Sequence, residues 1–181
     1  MTNRFIVVPE GLSFIEDKTV LSPAFRGSLN CLLGQLRPDD IVFLAPANKF
    51  QSECFEQDYA AVFLKNVEVD LTVYTAKTMS SKYVDTLDNA HMLRPLIVKN
   101  GFSEKSFTLV VNEIHARRAV TAFKSAGYAI SRVIRTRSDK FEHSEYLPCR
   151  LFYYRYKFLH VLYECFASVY QLVRIMMRKL F

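Results

Sequence analysis

An α/β domain built on a parallel sheet is the fold this 181-residue sequence predicts. Three observations predict it: short apolar runs recur along the chain, segments of helical character separate them, and the two kinds alternate from end to end. Five runs read as strands: RFIVV (4–8), DIVFLA (40–45), VDLTVYT (69–75), FTLVV (107–111) and YAISRVIRT (128–136). They are rich in β-branched and aromatic residues, and the first four are almost continuously apolar, as strands covered on both faces must be.

The helices follow from their end signals. SPAFRGSLNCLLGQLRP (22–38) opens with a serine cap and a proline at the first helical position, and stops before Pro38. QSECFEQDYAAVFLKN (51–66) carries Glu53, Glu56 and Asp58 early and Lys65 late, matching the helix dipole. TLDNAHMLRPLIVK (86–99) is the third helix, with Pro95 expected to kink it. EIHARRAVTAFKSA (113–126) is the fourth and ends at Gly127. Alternation of this kind implies a Rossmann-like three-layer sandwich with a mostly parallel five-stranded sheet over residues 1–140. A long amphipathic helix forms a second unit over 141–181.

Charge is also divided unevenly along the chain. Residues 1–131 hold 14 Lys/Arg and 14 Asp/Glu, whereas residues 132–181 hold 10 and 4, so the net +6 lies in the last 50 residues. A neutral domain with a basic tail points to an anionic partner. Cys31, Cys54, Cys149 and Cys165 show neither CxxC nor metal-ligand spacing, so no metal site and no disulfide framework is expected. The apolar run in MTNRFIVVPEG is too short for a signal peptide or a spanning helix, which places the body of the protein in the cytoplasm.

In open parallel sheets, ligands bind beyond the carboxyl ends of the strands. The residues there are Pro9, Glu10 and Gly11; Pro46, Ala47, Asn48 and Lys49; Lys77, Ser80 and Ser81; and Asn112, Glu113 and His115. GxGxxG, GxxxxGK[ST], GxSxG and HExxH are all absent, which excludes the ordinary dinucleotide, P-loop, α/β-hydrolase and zincin sites.

SSKYVDTLDNA (80–90) followed by FTLVVNEIHARRAVTAFKSAGY (107–128) resembles the paired motifs of the YdcF/SanA/ElyC family. Thr86, Asn89 and Ala90 fall on its first motif, and His115, Arg118 and Ala119 on its second. Gly11 lies in its first glycine-containing loop, Arg26 on its first helix and Glu53 on its second. Tyr83, Asn112 and the ANK turn (47–49) depart from its pattern. The resemblance covers roughly residues 5–136. It implies a Rossmann-like fold, a link to bacterial envelope polysaccharide and lipid-carrier metabolism, and binding of S-adenosylmethionine or a nucleotide-like ligand.

Physical chemistry points to the same residues. A helix starting near Asn112 favours an anion at its N-terminus, and His115 and Arg118, three residues apart, share one face. His115 is the candidate general acid or base and Arg118 the anion clamp. Thr86 and Asn89 serve the same crevice from the start of the third helix, Thr86 as a hydroxyl cap. Gly11, Glu53 and Asn112 complete the expected ligand-binding set. Arg117, about 100° further around the helix, is expected in solvent.

LFYYRYKFLHVLYECFASVYQLVRIMMRKLF (151–181) carries His160, Glu164, Ser168, Gln171, Arg174 and Arg178 on one line, and almost everything else in it is apolar. Such a helix must be buried by lipid, by its own domain or by a second copy. Its tyrosines, with Lys157, Arg174, Arg178 and Lys179 as membrane-contact residues, resemble a helix lying in the headgroup region. Nucleic acid is disfavoured, since basic and aromatic residues are not exposed together. The expectation is a protein of envelope polysaccharide or lipid-linked glycan metabolism, peripheral on the inner membrane. It acts as a transferase or hydrolase on a phosphorylated or lipid-linked sugar, as a non-catalytic nucleotide-like or S-adenosylmethionine-binding module, or as a scaffold retained for interaction.

Overall fold

The computed structural model describes residues 2–67, 71–78 and 83–180, with the side chains of 179 and 180 outside the described ones. Its main sheet holds five strands: β1 (Arg4–Val7), β4 (Ile41–Leu44), β5 (Thr72–Thr75), β6 (Ser106–Asn112) and β7 (Ala129–Thr136). Their order is β5-β4-β1-β6-β7, and every pairing is parallel. The chain builds outward from β1 to β5, returns through a helix to β6 on the other side of β1, and so creates a switch point between β1 and β6. That is where an open parallel sheet leaves a crevice.

Alternate side chains of each strand serve opposite layers. Ile6, Phe43, Leu109 and Val111 pack against α3 (Thr86–Lys99) and α4 (Ala116–Ser125) through Leu87, Leu93, Ala119 and Phe123. Phe5, Val7, Val42 and Val110 pack against α1 (Pro23–Leu33) and α2 (Glu56–Lys65) through Phe25, Leu29, Leu32 and Leu64. Each such large side chain stabilises the fold by roughly 1.5–3 kcal/mol on burial. The central strands β1, β4 and β6 are almost continuously apolar because neither of their faces meets water over most of their length.

Ser22 caps α1 by accepting from the Phe25 N–H at 3.1 Å, and Pro23 opens the helix. Helix α3 runs through Pro95 without a break in its assigned span. Two boundaries move inward from the sequence expectation. Helix α2 starts at Glu56, so Glu53 stands exposed in the preceding loop, and α4 starts after His115, with residues 113–115 forming a turn. The pattern of apolar runs does not mark an antiparallel hairpin, β2 (Leu12–Ile15) and β3 (Lys18–Leu21). Its turn residues Glu16 and Asp17 both take positive φ, 47° and 64°, without the Asn or Gly that usually marks such a turn.

After β7 the chain returns over α1, and Gly27 permits the approach, since a Cβ there would lie 2.0 Å from the Arg137 carbonyl oxygen. Tyr146 then bridges Phe14 of the hairpin, and Glu145 accepts from Arg26 and Ser13. A 3-10 turn (Cys149–Arg155) and the 24-residue helix α5 (Lys157–Leu180) follow. These last elements lie across the carboxyl edge of the sheet, over the switch point.

Candidate functional site at the carboxyl edge of the sheet

Glu10 is the centre of the site. It leaves β1 at the switch point, is 1% exposed, and its carboxylate has three hydrogen-bond partners. Its Oε1 accepts from the backbone N–H of Asn112 and faces His115 Nδ1, each at 3.0 Å, while Oε2 accepts from the Tyr154 hydroxyl at 2.7 Å. Burial by itself raises the pKa of this carboxyl, but the His115 ring, the Tyr154 hydroxyl and the Asn112 N–H together hold it below the ordinary carboxylate value.

That carboxylate fixes the imidazole tautomer. An ionised Glu10 can only accept, so His115 Nδ1 carries the proton and Nε2 is left as a base. His115 Nε2 lies 2.9 Å from Thr86 Oγ1, and Arg118 Nη1 donates to the same oxygen at 2.7 Å. His115, Arg118 and Thr86 thus converge on one atom. The loop after β1, the start of α3 and the start of α4 supply the four groups.

Thr86 is free for this because it does not cap its helix. Asp85 is the N-cap of α3 and accepts from the backbone N–H groups of Leu87 and Asp88, each at 3.0 Å. The expectation of a Thr86 cap is therefore corrected, and the correction turns its hydroxyl into the crevice. Asn89 lines the crevice and, with its amide nitrogen facing the Asp85 and Pro46 carbonyls at 2.7 and 3.1 Å, ties the start of α3 to the loop after β4.

The remaining expected residues divide. Gly11 lines the crevice in a turn with φ of 97°, its N–H donates to Glu56 Oε2 at 2.6 Å, and a Cβ there would lie 2.3 Å from Leu151 Cδ1. Asn112 is buried but turned away: its amide nitrogen donates to Ser138 Oγ, and its Oδ1 accepts from the Ile114 N–H. Its side chain shapes the turn after β6 and does not line the crevice. Glu53 is absent from the crevice as well, because the carboxylate that α2 sends there is Glu56, three residues further on. Glu56 also accepts from the Asn48 N–H at 3.1 Å, and its burial pushes its pKa up to about 7 against those backbone donors, with the Glu10 charge adding to the rise. Ser80 and Ser81 lie outside the described residues.

The C-terminal elements close the crevice. Glu164 of α5 accepts from Arg118 Nε at 2.7 Å and Nη2 at 2.8 Å, a two-pronged pair with both side chains largely shielded from water. Burial disfavours the Arg118 cation, but Glu164 more than offsets it and raises the pKa above the ordinary arginine value. Leu151, Tyr153, Tyr154 and Tyr163 fill the space beside Glu10 and Thr86, leaving a cavity of about 40 Å³. That is room for roughly one water. Arg174 bonds Asp85 and Asp88, and Arg178 bonds Asp88 at 3.1 Å, so both face the α/β domain. Arg117 is exposed, as its position around the helix predicts, and the Lys179 side chain lies outside those described.

Four groups of this site escaped the sequence reading of the ligand set. Glu10 stood at an inspected strand end, and Glu164 stood on the polar line of the last helix, so both carried a positional signal. Glu56 was explained by the helix dipole alone, and nothing in the sequence marked Tyr154. No group of His, Cys, Asp and Glu that could hold a metal ion occurs among the described residues. Comparison of the chain with protein-family models, with curated proteins and with solved structures returns no match.

Proposed function

We propose that the crevice binds a phosphate-bearing ligand and that the protein is a transferase or hydrolase acting on a phosphorylated or lipid-linked sugar in envelope polysaccharide or glycan metabolism. The convergence of His115 Nε2 and Arg118 Nη1 on Thr86 Oγ1, with Glu10 behind the imidazole, is the observation that carries this reading. The resemblance of the Thr86–Ala90 and His115–Ala119 segments to the YdcF/SanA/ElyC motifs supports the substrate class.

The proposed chemistry uses each group once. Arg118 binds the phosphoryl oxygens through its fork and balances charge that grows on them during reaction. His115 Nε2 removes the proton from the attacking hydroxyl or water as its oxygen bonds to phosphorus, and returns that proton to the leaving oxygen as the second bond breaks. Glu10 holds the ring in the required tautomer and stabilises the imidazolium between the two transfers. Ligand entry requires Glu164 to release Arg118, because the two cannot both occupy the fork.

A second reading, a non-catalytic module for a nucleotide-like ligand or S-adenosylmethionine, rests on the same resemblance to the YdcF/SanA/ElyC motifs. A thermal-shift screen against nucleotide sugars, polyprenyl phosphate analogues and S-adenosylmethionine, followed by turnover assays on the ligands found, separates the two. The enzyme reading expects His115→Ala to lose at least about a hundredfold in turnover while ligand binding persists. Binding without turnover in the unmodified protein contradicts catalysis and leaves the module.

A further inference from the structure

Helix α5 packs in reverse of an ordinary surface helix. Its polar line faces inward: His160, Glu164 and Gln171 are all buried, and Gln171 donates to the Arg118 carbonyl at 3.0 Å. Arg174 and Arg178 continue the line with their bonds to Asp85 and Asp88. The apolar residues point out. Phe158 is 76% exposed, Phe166 70%, Val169 63% and Tyr170 62%, with Val161, Leu162, Leu172, Val173, Met176 and Met177 also exposed.

At 100° per residue these positions cover about half the circumference of the helix. From Phe158 to Met177 the chain contains only His160, Glu164 and Arg174 as charged or titratable side chains apart from tyrosine and the exposed thiol of Cys165, and all three belong to the inward line. The outward strip is therefore uncharged over roughly 28 Å. An apolar face this wide is costly in water and calls for an occupant.

Charge around the strip says which occupant. Between α4 and α5 runs an open groove of about 730 Å³ whose walls include Ile114, Val161 and Leu172 and whose rim carries Arg117, Arg135 and Lys157. None of these three cations forms an ion pair among the described residues, whereas the acidic residues of the groove are engaged, Glu113 with Arg137 and Glu164 with Arg118. A second helix would cover only a narrow seam and leave most of the strip wet. A lipid surface covers the whole half-cylinder, and anionic headgroups meet the free cations beside it.

We propose that the outward face of α5 is a docking surface for an anionic lipid bilayer, with Phe158, Phe166, Val169 and Met176 entering the acyl boundary and Arg117, Arg135 and Lys157 contacting headgroup phosphates. This assignment is independent of the crevice chemistry. It revises the contact set expected from sequence, since Arg174 and Arg178 hold the helix to the domain while Lys157 stays at the lipid side.

Co-sedimentation of the full chain with phosphatidylglycerol-containing vesicles and with pure phosphatidylcholine vesicles tests it. The expected result is binding to the anionic vesicles, at least tenfold weaker on neutral ones, reduced in the triple variant Arg117→Glu, Arg135→Glu, Lys157→Glu, and lost in Phe166→Glu, Val169→Glu. Both variants alter exposed side chains, and their melting temperatures check that the fold persists. Vesicle binding unchanged in Phe166→Glu, Val169→Glu overturns the proposal. So does a dimer in light scattering that this variant dissociates while the parent shows no vesicle binding, a result that assigns the face to a second copy.

Discussion

His115 shows how one buried carboxylate sets the chemistry of a ring. Because Glu10 accepts a hydrogen bond from the protonated Nδ1, Nε2 faces Thr86 as the basic nitrogen, and the sequence alone placed His115 at a strand end without revealing its partner 105 residues earlier. Spacing reports residues on one element; it is blind to a pairing made by two strand ends meeting at a switch point. Glu56 carries the pH dependence at this scale. Its folded pKa of about 7 lies above the ordinary 4.5, so its stabilising contribution is complete below about pH 4.5 and is lost as pH rises through 7. A shift of that size corresponds to roughly 3 kcal/mol. Thermal melts should show stability falling between about pH 5 and 8, and Glu56→Gln should flatten that slope. A slope identical in parent and variant would assign the pH dependence elsewhere. Glu10, with its lowered pKa, acts in the opposite sense and only in the acid range.

At the level of elements, the strands and helices of the α/β domain were legible because burial on both faces leaves continuous apolar runs, and because Ser22, Pro23 and Gly127 mark helix ends. The hairpin over Leu12–Ile15 and Lys18–Leu21 was not, since its turn uses Glu16 and Asp17 at positive φ and its strands are four residues each. Helix α5 was legible as amphipathic, but periodicity gives the existence of two faces and not which one turns inward. The ion pairs Arg118–Glu164 and Arg174–Asp88 decide that. Gly11 couples this element to the crevice: its positive φ and its contact with Leu151 both exclude a side chain. Gly11→Ala should cost about 1–3 kcal/mol and loosen the 3-10 turn, measured by urea unfolding and by hydrogen exchange at 149–155. Unfolding and exchange like the parent's would show that the turn packs there without need of the glycine.

Across the whole molecule, the fold brings the most chemically loaded residues of the chain to one edge and then covers them with its own C-terminal segment. Residues 1–136 supply Glu10, Glu56, Thr86, His115 and Arg118; the segment after 141 supplies Tyr154, which donates to Glu10, and Glu164, which accepts from Arg118. Division of the sequence into a neutral domain and a basic tail hid this dependence, because net charge does not register a single carboxylate docking on a single arginine. Among the described residues no helix is long and apolar enough to cross a membrane. Glu164 occupies the Arg118 fork, so an anion bound by Arg118 must compete with that carboxylate. Isothermal titration of inorganic phosphate into the parent, Glu164→Gln and Arg118→Ala proteins measures that competition. The expected phosphate affinity is at least tenfold higher in Glu164→Gln than in the parent, with none detectable in Arg118→Ala. Equal affinity in the parent and Glu164→Gln, or binding that survives Arg118→Ala, would contradict it.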